Sequence, residues 1–434
     1  MPVRSQLPVR HIGWYVLFFL CGSVLPATAL AQGMWLPAGG AVNRGMGGAT
    51  TGAAIDAIGS MYWNPATISS LLGNEVGFGF EAIYANYSVS STFPGVGSGH
   101  SNGELGATPI PTFAWVHHTA NPNVTIGLGI FGVGGFGINA RADATNPILS
   151  PSPAQGGVGV GGIKTDAQFF QMNPAVSIQV TDRLSIGAGP VVGLGRIIVD
   201  DNIFAGLNAN GTYPRGDGTR YHWGLGGQLG FHYVHNRCWE FGGNVKTPTW
   251  FEPLRYFGED ANGLGRTDKL NVTLPMILSL GAAYRGSEFM VLTADVRYVD
   301  YTSTEMFGDT AGYRADGGAT GLGWKDAFSI GIGSEIQLTE RLIGRIGYIY
   351  VSDIVDDSTT FFNIGSDLSY RHIPTVGATW QLSDNASISF AYNYVATWEA
   401  TGPYVLPGVG AVPGTSVTTH TNAHIATFGV NVDY

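Results

Sequence analysis

The strongest constraint on this chain is a two-residue alternation of apolar and polar side chains that recurs along most of its length. Leu342, Ile346 and Tyr348, for example, would share one face of a strand, while Arg341 and Arg345 would share the other. Successive side chains of a strand point to opposite faces, so each such segment has an apolar and a polar side. A soluble sandwich buries the apolar side in a core, whereas a membrane barrel turns it to lipid.

The lengths of the connections between these segments distinguish a membrane barrel from a soluble sandwich. The predicted strands are 73–92, 109–119, 124–136, 164–181, 183–199, 220–234, 238–251, 269–285, 289–304, 324–339, 341–353, 370–383, 386–401 and 421–434. Short turns such as 120–123 alternate strictly with long loops such as 138–163. Outer-membrane barrels have short periplasmic turns and long extracellular loops. The predicted fold class is therefore all-β, a 14-stranded antiparallel transmembrane β-barrel.

The composition agrees with strands that face lipid. Hydrophobic residues make up 44% of the chain and charged residues only 12%, whereas an ordinary soluble domain has about 25% charged residues. Acidic residues outnumber basic ones by 31 to 21, which argues against a nucleic-acid partner. Asp200-Asp201 lacks a full set of calcium ligands at fixed spacing. No metal or other cofactor is predicted.

The first 31 residues have the pattern of an export signal. Arg4 and Arg10 supply positive charge ahead of an apolar run. Ala29-Leu30-Ala31 then places small residues at the positions that a signal peptidase recognises. We therefore expect a signal peptide at 1–31. A retained membrane anchor is the alternative, but the apolar run is short for a spanning helix.

Two further domains follow the signal peptide. Residues 32–72 are rich in glycine and alanine and have few large apolar side chains. They form either a disordered tail or a plug, called here the hatch, because the lumen of a 14-stranded barrel stays open to water unless it is filled. The transmembrane barrel is predicted over 73–434.

The hatch segment resembles the start of the FadL/TodX family of outer-membrane transport proteins. Arg44-Gly45-Met46-Gly47-Gly48-Ala49 precedes Asp56-Ala57 and then Tyr62-Trp63-Asn64-Pro65-Ala66. In that family the motif matching Asn64, Pro65 and Ala66 lies in an N-terminal hatch. Shorter similar stretches extend the resemblance over nearly the whole mature chain, at 182–189, 274–275, 279–281, 295–298, 341–348 and 373–374.

The resemblance implies a monomeric barrel in the bacterial outer membrane that imports long-chain fatty acids or aromatic hydrocarbons. Ligand would bind in an apolar pocket and leave sideways through an inward kink of the third strand. Asn64 would hold the hatch through hydrogen bonds, and Pro65 would fix its backbone. The implied partners are a hydrophobic small molecule, outer-membrane lipid and lipopolysaccharide, and the barrel-assembly machinery, which would read the terminal aromatic residue Tyr434.

Glycines in the third predicted strand mark a candidate position for that kink. Gly132, Gly134 and Gly135 interrupt the alternation there. Glycine inside a strand often marks a bulge or a close backbone approach. The glycines therefore indicate either a lateral opening or a place where the hatch packs closely against the wall.

Alternation also places Arg297 and Arg345 in the lumen. They would either meet a ligand carboxylate or pair with acidic wall residues such as Asp295 and Glu335, since charges buried in a lumen require partners.

Two other function classes are weighed against transport of hydrophobic molecules. Gly99-His100-Ser101-Asn102-Gly103 matches the pattern of a lipase nucleophile elbow, which would make the chain an outer-membrane lipid hydrolase. That pattern needs a helix after it, and a loop is predicted instead. A general diffusion porin would have an open, charged lumen without an N-terminal plug. We therefore expect a transporter and not an enzyme.

Overall fold

Fourteen antiparallel strands form a closed barrel in the computed structural model, which describes residues 33–104, 106–366 and 370–434. They are β1 Glu75–Phe93, β2 Ala107–His118, β3 Val124–Ala140, β4 Ile163–Thr181, β5 Leu184–Asp200, β6 His222–Val234, β7 Trp239–Lys246, β8 Met276–Tyr284, β9 Met290–Asp300, β10 Ala327–Gln337, β11 Leu342–Val351, β12 His372–Ser383, β13 Ala386–Gly402 and β14 Ser416–Asp433. Each pairs with the next over at least part of its length, and β14 pairs with β1 from Glu75 to Thr92, so the sheet closes on itself. The predicted fold class is confirmed, whereas the predicted signal peptide, 1–31, lies outside the described residues.

The two faces of the barrel are the reverse of those of a soluble protein. Large apolar side chains are exposed on the outside, and small polar side chains are buried on the inside. The exposed set includes Ile186, Leu229, Leu280, Ile346, Phe390 and Phe428, and the buried set includes Ser177, Gln228, Ser279, Ser329, Asn393 and Thr427. The outer face therefore suits lipid, and the inner face packs against the hatch.

Several strands are much longer than a membrane requires. β1 and β4 each have 19 residues, whereas about 9–11 suffice to cross an outer membrane. The extra residues extend the wall on the side of the long loops. Residues Gly97–Gly103 add a further strand, paired with Tyr87–Phe93 of β1. The prediction of a loop around Ser101 is therefore wrong. The extended end of β1 provides backbone partners for 97–103, and the glycines and serines of this segment give no strand pattern in the sequence.

The described hatch residues, 33–72, fold inside the barrel. They contain α1 (Ala41–Gly45), α2 (Ala57–Trp63) and a 3-10 helix (Pro65–Ser70). Asp56 caps α2 by accepting a hydrogen bond from the backbone N–H of Gly59 at 3.0 Å. None of the helices in the described residues has the length and apolarity of a membrane-spanning helix. Of the two possibilities for this segment, the structure shows the plug.

Phe428 tests the assignment of the outer face. It lies on β14 directly between Phe80 of β1 and Phe390 of β13, and half of its surface is exposed. Replacing Phe428 by Arg should destabilise the barrel folded in a bilayer by about 2–4 kcal/mol, because a cation on the lipid face must leave water.

The matched control is Leu264→Arg, at an exposed position in the loop hairpin Leu254–Glu259/Gly265–Leu270. Equilibrium folding into vesicles measures both variants. Equal effects of the two arginines would show that Phe428 does not face lipid.

Candidate functional site

The long loops enclose a cavity of about 390 Å³ at one end of the barrel, which we call the loop cavity. Five connections contribute to its wall, namely those after β3, β5, β9, β11 and β13. Its lining is mainly apolar and includes Phe136, Phe204, Met306, Leu322, Phe361 and Phe362. A cavity of this size and composition is typical of small-molecule sites.

The loop after β11 presents two of these rings on a short capped helix. Phe361 and Phe362 lie in the 3-10 helix Asp357–Asn363, and Asp356 caps it by accepting a hydrogen bond from the Ser358 N–H at 3.1 Å. Hydrogen bonds from Lys325 and Ser358 lower the pKa of Asp356 to about 2, so the cap stays ionised at neutral pH. The rings are therefore held in place by local structure.

Three charged residues border the loop cavity: Lys164, Asp200 and Asp201. The Asp200 carboxylate accepts a hydrogen bond from Arg215 at 2.9 Å. Burial and the neighbouring Asp200 raise the pKa of Asp201, with Arg215 acting in the opposite direction. Asp200 is thus an ion-pair partner within the loops, and in the described residues no group of three or more His, Cys, Asp or Glu side chains gathers as a metal site would.

β2 and β3 separate just beside the loop cavity. They pair from His118 opposite Thr125 up to Thr112 opposite Phe131, and no further. Beyond that point the two sides are connected again at Glu104, whose N–H donates to the Asn139 carbonyl at 2.7 Å and whose carboxylate accepts from Arg141 at 2.8 Å. We call the interval between these limits the β2–β3 window.

The predicted glycines lie in the β3 edge of this window. The pairing of β3 with β4 shifts by one residue between Gly132 and Gly134, which leaves Val133 as an inserted residue. A Cβ on Gly132 would lie 2.4 Å from Ile110 of β2, and a Cβ on Gly135 would lie 2.2 Å from the Ala167 carbonyl oxygen of β4. The glycines therefore permit a bulge with close approaches to both neighbouring strands.

The start of the hatch covers the window from inside. The Leu36 N–H donates to the Val133 carbonyl at 2.8 Å, and the Gly135 N–H donates to the Met34 carbonyl at 3.3 Å. A Cβ on Gly134 would lie 2.5 Å from that same Met34 oxygen. Trp35, between these two bonds, is 1% exposed. The sequence left open a lateral opening or a close hatch contact at these glycines. The structure has a bulge with the hatch packed closely against it, and the lateral opening stays a prediction.

The hatch motif has its own contacts with the wall. The Asn64 side-chain amide donates to the carbonyls of Thr51 and Phe231, each at 2.8 Å, and its oxygen accepts from the Ala66 N–H at 3.0 Å. Pro65 begins the 3-10 helix, where no N–H is needed. Asn64 therefore connects two hatch segments to β6.

Both predicted lumen arginines are paired, and neither borders the loop cavity. Arg297 donates to Asp295 at 2.5 Å, and its guanidinium carbon lies 3.7 Å above the ring of Trp63. Arg345 donates to Glu335 at 2.8 Å. The geometry favours wall and hatch contacts over contact with a ligand in the cavity.

Two charged contacts of the hatch, one made by Arg44 and one by Lys246, were not anticipated from the sequence. Arg44 in the hatch and Glu81 on β1 form an ion pair in which both side chains are fully buried. Lys246 on β7 donates to the Tyr62 carbonyl at 2.7 Å, with the rings of Trp35 and Trp63 5.5 and 5.9 Å from its nitrogen. Glu81 and Lys246 each stand out as a single charge within a largely apolar strand, which indicates a buried partner. The sequence does not show which residue that partner is, because it is distant along the chain.

The candidate nucleophile Ser101 lies in a hydrogen-bonded network of the loops. Its hydroxyl donates to Asp143 at 2.7 Å and accepts from Asn146 at 3.1 Å. The adjacent His100 lies 2.9 Å from Ser90, on another strand. Hydrogen bonds from Thr145 and Ser101 lower the pKa of Asp143, so the carboxylate that contacts Ser101 is a weak base for activating a serine nucleophile.

Comparison with known proteins gives the family. The model described as "Outer membrane protein transport protein (OMPP1/FadL/TodX)" matches residues 22–203 and 216–434. The chain belongs to this family. It is an outer-membrane transport protein, as the resemblance of its hatch motif implied.

Solved structures share the fold of this family member at low sequence identity. The toluene transporter TodX of P. putida superposes with a TM-score of 0.69 at 16% identity, covering 92% of this chain and 99% of that one. A FadL homologue of Pseudomonas aeruginosa gives 0.69 at 14% identity, with the same coverage. The toluene transporter TbuX of Ralstonia pickettii gives 0.65 at 16%, again with 92% and 99% covered. No curated protein sequence matches this chain significantly.

The Arg44–Glu81 pair yields a test of how the hatch is held. Glu81→Gln should lower the free energy of unfolding by about 3–5 kcal/mol, because it leaves the Arg44 charge buried without its partner. It should also raise the ion conductance of single barrels in planar bilayers as the hatch loosens.

The matched control is Glu104→Gln, which breaks the exposed pair of Glu104 and Arg141 and should change neither quantity noticeably. A Glu81→Gln barrel that melts and conducts like the control would show that this pair does not fix the hatch.

Proposed function

We propose that this transporter takes up hydrophobic small molecules from the loop cavity and releases them sideways through the β2–β3 window into the membrane. The main support is that Phe136 lines the cavity and also lies on the β3 edge of the window. The two features are therefore adjacent. A molecule that moves from one to the other exchanges one apolar environment for another and avoids water.

A path straight down the lumen is much less favourable for such a molecule. Below the cavity the hatch meets the wall through buried charges, among them the Arg44–Glu81 and Asp295–Arg297 pairs. An apolar molecule that displaced these partners would leave charges without solvent or counter-ion. The sideways route requires only that the hatch residues around Trp35 move.

This arrangement also distinguishes the proposal from a general diffusion porin. Residues 33–72 occupy the lumen, and Trp35, Tyr62 and Trp63 are buried there. Two relatives are described as toluene transporters, so the proposed ligand class for this chain is hydrocarbons or fatty acids.

The periplasmic end of the barrel supports a second part of the proposal. Tyr434 follows β14, is 56% exposed, and its hydroxyl accepts a hydrogen bond from the Trp115 indole at 2.7 Å. We propose that the barrel-assembly machinery reads this exposed terminal aromatic residue, and that the assembled monomer lies among outer-membrane lipid and lipopolysaccharide.

Removing the inserted residue Val133 tests the sideways route. Its deletion should restore continuous pairing of β3 with β4 and let β3 pair with the free edge of β2, which closes the window. Uptake of radiolabelled toluene by cells carrying the variant should fall to the level of cells without the protein, while the barrel still shows the gel shift of a folded outer-membrane protein.

The control deletes Leu382, the extra residue of a bulge between β12 and β13 at the opposite end of the barrel. That variant should retain uptake. Normal uptake by a folded Val133-deleted protein would exclude this window as the exit.

A further inference from the structure

Acidic residues outnumber basic ones among the charges at the loop cavity. Of the described residues that line it, one is a lysine and two are aspartates. Lys164 is exposed and the following Thr165 is buried, so alternation places the lysine side chain on the outer face of β4. Lys164 lies directly opposite Asp200 on β5, so it has an acidic neighbour on the adjoining strand.

Arg215, the ion-pair partner of Asp200, is already paired with two carboxylates. Arg215 donates to Asp200 at 2.9 Å and to Asp217 at 2.8 Å. Asp201 has no ion pair within the described part of the chain. Two basic residues, Lys164 and Arg215, stand against three aspartates in this group, so its formal charge is negative.

The hydroxyl donors of the lining point away from a ligand as well. Three tyrosines border the cavity, and each donates its proton to a loop carbonyl: Tyr213 to Gly317 at 2.7 Å, Tyr404 to Gly159 at 3.2 Å, and Tyr313 to Val405 at 3.4 Å. The hydroxyls tie the loops together while the rings contribute apolar wall. An oxyanion in the cavity would find these donors occupied.

The aromatic rings add to the penalty for an anion. Phe361 packs against Phe362 and Tyr404 with ring centroids 5.3 and 5.1 Å apart, and Tyr313 packs against Phe362 at 5.3 Å. The face of an aromatic ring carries negative partial charge and its edge positive partial charge. A carboxylate would lose its water to enter an aromatic and apolar wall beside Asp201, whereas an uncharged apolar molecule meets favourable contacts there.

We propose that the loop cavity admits uncharged hydrophobic molecules and rejects the corresponding carboxylates, and that Asp201 is a specificity-determining residue of this selection. The inference rests on the proposed function and narrows its ligand class to hydrocarbons and other uncharged apolar molecules. Ionised fatty acids fall outside that class.

Matched ligands test the selection in the purified full-length protein. Binding of naphthalene and of 2-naphthoate, which share a ring system and differ in charge, is measured by equilibrium dialysis at pH 7.5 against protein-free detergent micelles. We expect saturable binding of naphthalene and at least tenfold weaker binding of 2-naphthoate. Asp201→Asn should raise the affinity for 2-naphthoate relative to that for naphthalene several-fold.

The control variant is Asp182→Asn, which removes one negative charge from the exposed turn between β4 and β5 at the other end of the barrel. It should change neither affinity. Equal or tighter binding of 2-naphthoate by the unaltered protein would overturn the inference while leaving the transport proposal intact. An unaltered ratio of the two affinities in Asp201→Asn would remove Asp201 from the selection. If neither ligand bound saturably, the loop cavity would not be the binding site and the proposed function itself would fail.

Discussion

Every backbone N–H and C=O group of this chain that lies at membrane depth must find a partner within the protein, because lipid offers none. Pairing of β14 with β1 meets that requirement for the sheet as a whole. The closed sheet then encloses a space that the hatch must fill. Both large features of the molecule, the barrel and its plug, therefore follow from the same need to satisfy backbone hydrogen bonds.

At the β2–β3 window, neighbouring wall strands do not supply all the backbone hydrogen-bond partners. β3 continues past Phe131 without a partner in β2, and the hatch supplies part of the missing pairing through Leu36 and Met34. The hatch therefore acts here as a short additional strand segment. Its contact with the window is a substitute for wall pairing, which explains how an interrupted wall is compatible with a stable barrel.

Much of this architecture can be predicted from the sequence, because lipid and the hatch impose alternation on every wall strand. The positions of all fourteen strands follow from that period and from the strict order of short and long connections. The strand at Gly97–Gly103 could not be predicted in this way, since glycine and serine carry no apolar face. Its pairing depends on the extended end of β1.

The site could be predicted from the sequence less completely than the fold. The glycines around Val133 indicated an irregularity, but its partner Trp35 is about a hundred residues away in sequence. Arg297 and Arg345 could be placed in the lumen by alternation, together with candidate acidic partners. The loop cavity could not be foreseen, because five loops without periodicity build it jointly. Long-range packing of irregular segments leaves no local pattern.

The hydrogen bonds that join the hatch to β3 run between main-chain atoms on both sides. Every amino acid except proline carries the same N–H and C=O groups, so such a closure recognises no particular ligand and tolerates change in the side chains around it. On the proposed sideways route, choice of cargo is thereby separated from its release. The loops can then diversify to suit new compounds while one generic exit serves all of them.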